Sequence, residues 1–205
     1  IATVTNSTLS GNSTPSTGGG ISNAKKLGVI NTLTVNNSTI SGNSASNGGG
    51  INNITGGIVN VKNSIVAGQT LGVDCAGTIT SQGYNIESAT NCGFTGTGDQ
   101  KSVTSGSLNL GALANNGGRT QTRALGSGSV AIDKIPIGTN GCVAGTSLDQ
   151  RGAQRANGSG KGGAACDVGA YEFDSSSPTA VTLSSFNARA PTFDLGAWLR
   201  KMLGR

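Results

Sequence analysis

Apolar and polar residues alternate along much of the chain in short runs, as in Leu33-Thr-Val35 and Ile58-Val-Asn-Val61. A period of two marks a β-strand with one buried face. Periodicity of the helical kind is absent from the first two thirds of the sequence. The strand-like runs are rich in Val, Ile and Thr and are separated by Ser-Gly-Asn and Gly-Gly-Gly stretches, which supply the turn conformations that short strands need.

The alternating pattern repeats at a larger scale. Val4-Thr-Asn-Ser-Thr-Leu-Ser-Gly-Asn-Ser13 returns as Val35-Asn-Asn-Ser-Thr-Ile-Ser-Gly-Asn-Ser44. Both copies are followed by a variable polar stretch and then Gly-Gly-Gly-Ile, at 18–21 and 48–51. A third, degraded copy reads Val61-Lys-Asn-Ser-Ile-Val-Ala-Gly68, at a slightly shorter spacing. Units of this length with about three short strands each read as successive coils of a parallel solenoid. Stacked coils lie about 4.8 Å apart, so like residues form columns. Val4, Val35 and Val61 are expected to make one inner aliphatic column, and Leu9, Ile40 and Val66 another. Asn12 over Asn43 is expected to form an amide ladder at a corner.

The pairing of Gly-Gly-Gly-Ile with Leu9-Ser-Gly-Asn12 and Ile40-Ser-Gly-Asn43 resembles the GGA(I/L) and FxxN repeats of polymorphic outer-membrane-protein β-helices, with Leu or Ile where that family has Phe. Beyond the repeats come Asp74-Cys75, Gly83-Tyr-Asn-Ile86, Cys92-Gly-Phe-Thr-Gly96, Leu110-Gly-Ala-Leu-Ala-Asn-Asn-Gly-Gly118, Asp149-Gln-Arg-Gly152 and Cys166-Asp-Val-Gly-Ala-Tyr-Glu172. In that order they resemble the C-terminal region of bacterial choice-of-anchor Q domain surface proteins. The resemblance covers about residues 1–174. It implies a secreted, surface-anchored β-helix with no assigned chemistry.

The expected fold class is therefore all-β: a right-handed parallel β-helix with an irregular, disulfide-stapled C-terminal cap and a short C-terminal helix. Regular coils are expected over 1–73, the last coils and cap over 74–174, and a linker with a short amphipathic tail over 175–205. Ala180 to Ser184 reads as a short strand. In the tail, Leu195, Trp198, Leu199, Met202 and Leu203 share one helical face, and Thr192 or Asp194 caps its start. That helix is expected to pack on its own protein, with an interfacial membrane contact as the alternative. The N-terminus already reads as repeat, so the sequence is expected to be a piece of a longer protein.

Composition sharpens this picture. Aromatic residues make up 3% of the chain and charged residues 11%, while glycine contributes 35 residues. A core of bulky side chains is excluded, and narrow stacked coils are favoured. The net charge of +5 invites a nucleic-acid reading. More than half of it lies in residues 178–205, and no basic patch with interleaved aromatics occurs elsewhere, so no nucleic-acid partner is expected. No apolar run approaches the roughly 20 residues of a membrane span.

The four cysteines, Cys75, Cys92, Cys142 and Cys166, form two locally spaced pairs. Disulfides are the expected use, and these imply an oxidising compartment. The alternative is zinc, which would need all four thiolates drawn together, because the chain has no histidine. No other metal and no cofactor are expected.

Parallel β-helices include polysaccharide lyases and glycoside hydrolases, whose chemistry needs a base with acidic calcium ligands or paired carboxylates. The stretch 1–73 contains no Asp or Glu, so the regular coils cannot present either set. Without histidine the usual serine triad is also excluded, leaving a Ser-Lys pair at Lys25, Lys26 or Lys62 as the serine-based alternative. Arg119, Arg123, Asp149, Arg151 and Asp167 are the charge groupings that stand out. Arg151 paired with Asp149 or Asp167 is expected to pin loops of the cap; contact with an anionic glycan is the functional alternative. The expected function is a non-enzymatic extracellular adhesin, stalk or scaffold that meets surface glycans or other surface proteins, with end-to-end self-association through an open strand edge. The competing expectation is a fragment of a carbohydrate-active enzyme whose catalytic coils lie upstream.

Overall fold

The computed structural model describes residues 1–24, 30–54, 56–156 and 163–173. The expected strand at 180–184, the amphipathic tail at 192–205, and Lys25 and Lys26 lie outside the described residues.

The architecture is all-β with a single helical turn among the described residues. The first repeat unit contributes β1 (Ala2–Thr5), β2 (Thr8–Leu9) and β3 (Ile21–Asn23), and the second β4 (Thr32–Asn36), β5 (Thr39–Ile40) and β6 (Ile51–Asn53). The third gives β7 (Ile58–Lys62), β8 (Ile65–Val66) and β9 (Cys75–Ala76), followed by β10 (Thr80–Ser81) and β11 (Ile86–Glu87). Equivalent strands of successive units pair in parallel, giving the sheets β1-β4-β7-β10, β2-β5-β8-β11 and β3-β6-β9. A one-turn helix α1 (Ser105–Leu108) then leads into an antiparallel hairpin, β12 (Leu110–Ala114) and β13 (Thr122–Leu125).

The repeat offsets are the pairing registers. Val4 faces Val35 and Val35 faces Val61, while Leu9, Ile40 and Val66 align in the neighbouring sheet. Between these two sheets each unit turns at an Asn in the left-handed region: Asn6, Asn37 and Asn63, with φ of 46°, 45° and 52°. Asn tolerates that conformation better than most side chains. The serine after each Asn forms a second column, Ser7 N–H donating to Ser38 Oγ at 3.3 Å and Ser38 N–H to Ser64 Oγ at 3.1 Å.

The inward residues Leu33, Val35, Ile40, Ile51, Val59, Val61 and Val66 form one core with Phe94 and the Cys75–Cys92 pair. Removing each such aliphatic side chain from water contributes about 1.5–3 kcal/mol. The Gly-Gly-Gly stretches let the units approach closely: a Cβ added to Gly50 would stand 2.4 Å from the Asp74 carbonyl oxygen.

A second core lies on the opposite face of one sheet. The outward residues of β2 and β5 are Thr8 and Thr39, but those of β8 and β11 are Ile65 and Ile86. The latter two pack with Val103, Leu108, Leu125, Ile135 and Val168. The chain beyond α1 therefore covers this sheet from outside. Where the sequence predicts a cap over the end of the stack, the contacts run instead along its flank, back to the first two units. Asn6 Nδ2 donates to the Leu148 carbonyl at 2.9 Å, Thr8 Oγ1 to Gln150 Oε1 at 2.6 Å, and Ala170 N–H to Thr39 Oγ1 at 3.0 Å. The Thr-to-Ile change from the third unit on gives the flank an apolar outer face to cover, while its contacts with the first two units are polar.

Candidate functional site

Both cysteine pairs are disulfides: Cys75–Cys92 with Cα atoms 4.7 Å apart, and Cys142–Cys166 at 5.9 Å. All four thiols are used, so the four-thiolate zinc alternative falls. Two acids that the sequence did not single out organise the first bridge. Asp74 accepts hydrogen bonds from Ser88 N–H at 2.9 Å and Ser88 Oγ at 2.6 Å. Glu87 points inward at the last unit and accepts from Cys92 N–H at 2.8 Å and Phe94 N–H at 3.2 Å. Burial raises both carboxyls above their ordinary values, and for Glu87 the nearby Asp74 adds to the effect.

The corner ladder runs through three units. Asn43 Oδ1 accepts from Asn12 N–H at 3.1 Å and Asn12 Nδ2 at 3.0 Å, and its own Nδ2 donates to the Leu9 carbonyl at 3.0 Å. In the third unit Gln69 takes the equivalent place, accepting from Asn43 N–H at 3.1 Å.

Of the sequence-predicted charges, Arg151 pairs with Asp149 at 2.8 Å and lies 3.7 Å over the Tyr171 ring. Its Nη2 also donates to the Glu172 carbonyl at 2.6 Å. Asp167 is not its partner: that carboxylate accepts from Asp133 N–H at 2.7 Å and Phe173 N–H at 2.5 Å. The centre of the network is a residue that sequence reasoning passed over, Arg155. Its guanidinium donates to the carbonyls of Leu148, Asp167 and Gly169 and to Asn6 Oδ1, and lies 3.6 Å from Glu172. The available signal was a lone arginine soon after Arg151 in a charge-poor, Gly- and Ala-rich segment.

Burial dominates the electrostatics here. It depresses Arg155, an effect opposed by the charges of Glu172, Asp149 and Asp167. It raises Asp167 to about 7 and Glu172 to about 9, the latter also through repulsion from Asp167. Paired acids with raised values are a mark of catalytic sites. These two are each 1% exposed, so substrate cannot reach them, and the cluster serves to lock the flank onto the repeat units.

An accessible concavity lies beside the hairpin. Turn residues Ser41, Gly68 and Ser88, which follow β5, β8 and β11, form one wall of a cleft of about 180 Å³. Val103, Ser105, Leu108, Leu110 and Arg123 complete it. Arg123 is held in place by Nε donating to Ser10 Oγ at 2.9 Å and Nη1 to the Gly111 carbonyl at 3.2 Å. Arg119, its companion in the sequence, is exposed and does not line this cleft.

Among the described residues, no group of three or more His, Cys, Asp or Glu side chains is arranged to hold a metal ion. Nor is any helix among them long and apolar enough to cross a membrane. Comparison of the chain with protein-family models, curated proteins and solved structures finds no match.

Proposed function

We propose that this chain is a right-handed parallel β-helix of the bacterial cell surface, acting without chemistry of its own as a stalk, adhesin or scaffold that meets glycans or other surface proteins. The observation that carries this reading is the strict register of three parallel sheets, in which Val4, Val35 and Val61 stand above one another. Parallel crossovers of this kind are overwhelmingly right-handed. A column of units adds about 4.8 Å of rigid length per unit and offers a long outer face at low cost in sequence complexity. The outer face of the β1-β4-β7-β10 sheet carries Thr3, Thr34, Asn60 and Thr80 in one rank, a polar surface suited to reversible contact with hydroxylated partners. The two disulfides fit an oxidising, extracellular setting.

The test is a glycan and surface-protein array probed with the full chain, run beside a turnover assay on acidic and neutral polysaccharides. Binding without release of unsaturated products or new reducing ends is the expected result. Turnover, abolished by a single substitution in the chain, would overturn the scaffold reading.

A further inference from the structure

We infer that the cleft between the serine-bearing turns and the β12–β13 hairpin is a binding site for one acidic sugar residue, a hexuronate whose carboxylate is held by Arg123; the inference rests on the glycan-contact part of the proposed function.

Size comes first. At about 180 Å³ the cleft falls short of the roughly 300–1,000 Å³ of pockets that take drug-sized ligands or cofactors. A cleft of this volume suits one small ring rather than a drug-sized ligand. The lining is mixed in character. The apolar Val103, Leu108 and Leu110 share it with the hydroxyl-bearing Ser41, Ser88 and Ser105, the mixture of apolar and hydroxyl groups that suits a sugar ring.

Arg123 supplies the charge. Two of its nitrogens are spent on Ser10 and Gly111, which fixes the plane of the guanidinium. Its Nη2 makes no hydrogen bond within the described residues and lies over Gly42. A Cβ built on Gly42 would come within 2.5 Å of that nitrogen, so the glycine makes room for the guanidinium. A pre-oriented guanidinium with donors to spare is suited to a carboxylate. A single cation among neutral hydroxyls suits a monoanion carrying hydroxyls better than a phosphate dianion. Asp74 stands behind Ser88 and orients its hydroxyl by accepting from it, which leaves the Ser88 oxygen lone pairs for a ligand donor and for Gly68 N–H.

The experiment is an NMR titration of the full ¹⁵N-labelled chain with galacturonate, its linear trimer, glucose, acetate and inorganic phosphate. Galacturonate or its trimer is expected to shift the amides of Ser41, Gly68, Ser88 and Ser105 and the Arg123 Nε signal. Shifts from the monomer assign the free acid sugar as sufficient, and shifts from the trimer alone assign a chain-borne residue. Glucose and acetate should bind at least about tenfold more weakly, since each lacks one half of the recognition. Arg123→Lys keeps the charge but loses the fork, and should weaken uronate binding about tenfold. Ser105→Trp fills the mouth from an exposed position and should abolish binding with the melting temperature unchanged, which covers the case in which Arg123 variants fail to fold. Equal binding of glucose or phosphate, shifts confined to other residues, or uronate binding that survives Ser105→Trp would overturn the site. Array binding with a silent cleft removes this inference and leaves the surface-scaffold reading intact. A silent array with a silent cleft removes glycan contact altogether.

Discussion

Arg155 and Glu172 face each other at 3.6 Å with side chains 2% and 1% exposed, and the guanidinium also reaches Asn6 Oδ1 in the first repeat unit at 3.2 Å. The guanidinium satisfies the buried carbonyls of Asp167 and Gly169, and polar groups left unpaired cost about 1–3 kcal/mol each, so its loss costs about 2–6 kcal/mol. Arg155→Met is expected to destabilise the chain by that amount in urea denaturation. Glu172→Gln should cost much less, because burial already favours the protonated form of that carboxyl.

The same cluster sets a pH dependence. Asp167 and Glu172 are raised from ordinary values of 3.8 and 4.5 to about 7 and about 9. The folded state thus retains protons that the unfolded state releases, so the stabilising contribution is fully present below about pH 4 and is lost as pH rises through the folded values. Stability should fall between pH 5 and pH 9, by up to about 1.4 kcal/mol per pH unit for each retained proton. Asp74 and Glu87, also raised, act in the same direction. Denaturation midpoints at pH 5, 7 and 9 check this, and a midpoint that rises with pH would refute the assignment.

Each disulfide closes a short loop, with sequence separations of 17 and 24. Opening either bridge should lower stability by about 3 kcal/mol. Paired Cys→Ser variants should locate the losses differently. Loss of Cys75–Cys92 loosens the last parallel unit, and loss of Cys142–Cys166 loosens the flank, as read by hydrogen exchange at Val66 and Val168.

Asn43 is fully buried and serves the backbone of two units at once. Asn43→Ala leaves the Asn12 N–H without its partner and takes one of two donors from the Leu9 carbonyl, which keeps Ser41 N–H. The expected loss is about 1–3 kcal/mol in urea denaturation, the cost of one polar group left unpaired. Asn12→Ala, at an exposed position, should cost far less.

Gly50→Ala should prevent folding, or displace the third unit from the second, because the new methyl would overlap the Asp74 carbonyl and Val66. Gly106→Ala is the control: it meets nothing within 4 Å and should stabilise α1 by about 0.5–1 kcal/mol. Thermal melts of the two variants separate the steric argument from a general effect of replacing glycine.

Strand register was legible in the chain alone. A unit that starts at Val4 and returns at Val35 and again at Val61 leaves little choice in pairing, because a one-residue slip would turn every aliphatic side chain outward. The cysteine spacing likewise pointed to two local bridges. The flank was written in the sequence too, but in a form that reads as decay of the repeat. Thr8 and Thr39 become Ile65 in the third unit, and the lost alternation signals burial on both faces. Where the returning chain lies came from three-dimensional packing, and with it that Arg155 rather than Arg151 meets Asn6, and that Arg123 lines a cleft while Arg119 does not. Repeat pairing is set by short-range periodicity, which a sequence displays. The flank contacts join residues far apart in the chain, as Arg123 with Ser10 and Arg155 with Asn6, and no local pattern encodes which distant polar atom will satisfy a buried guanidinium.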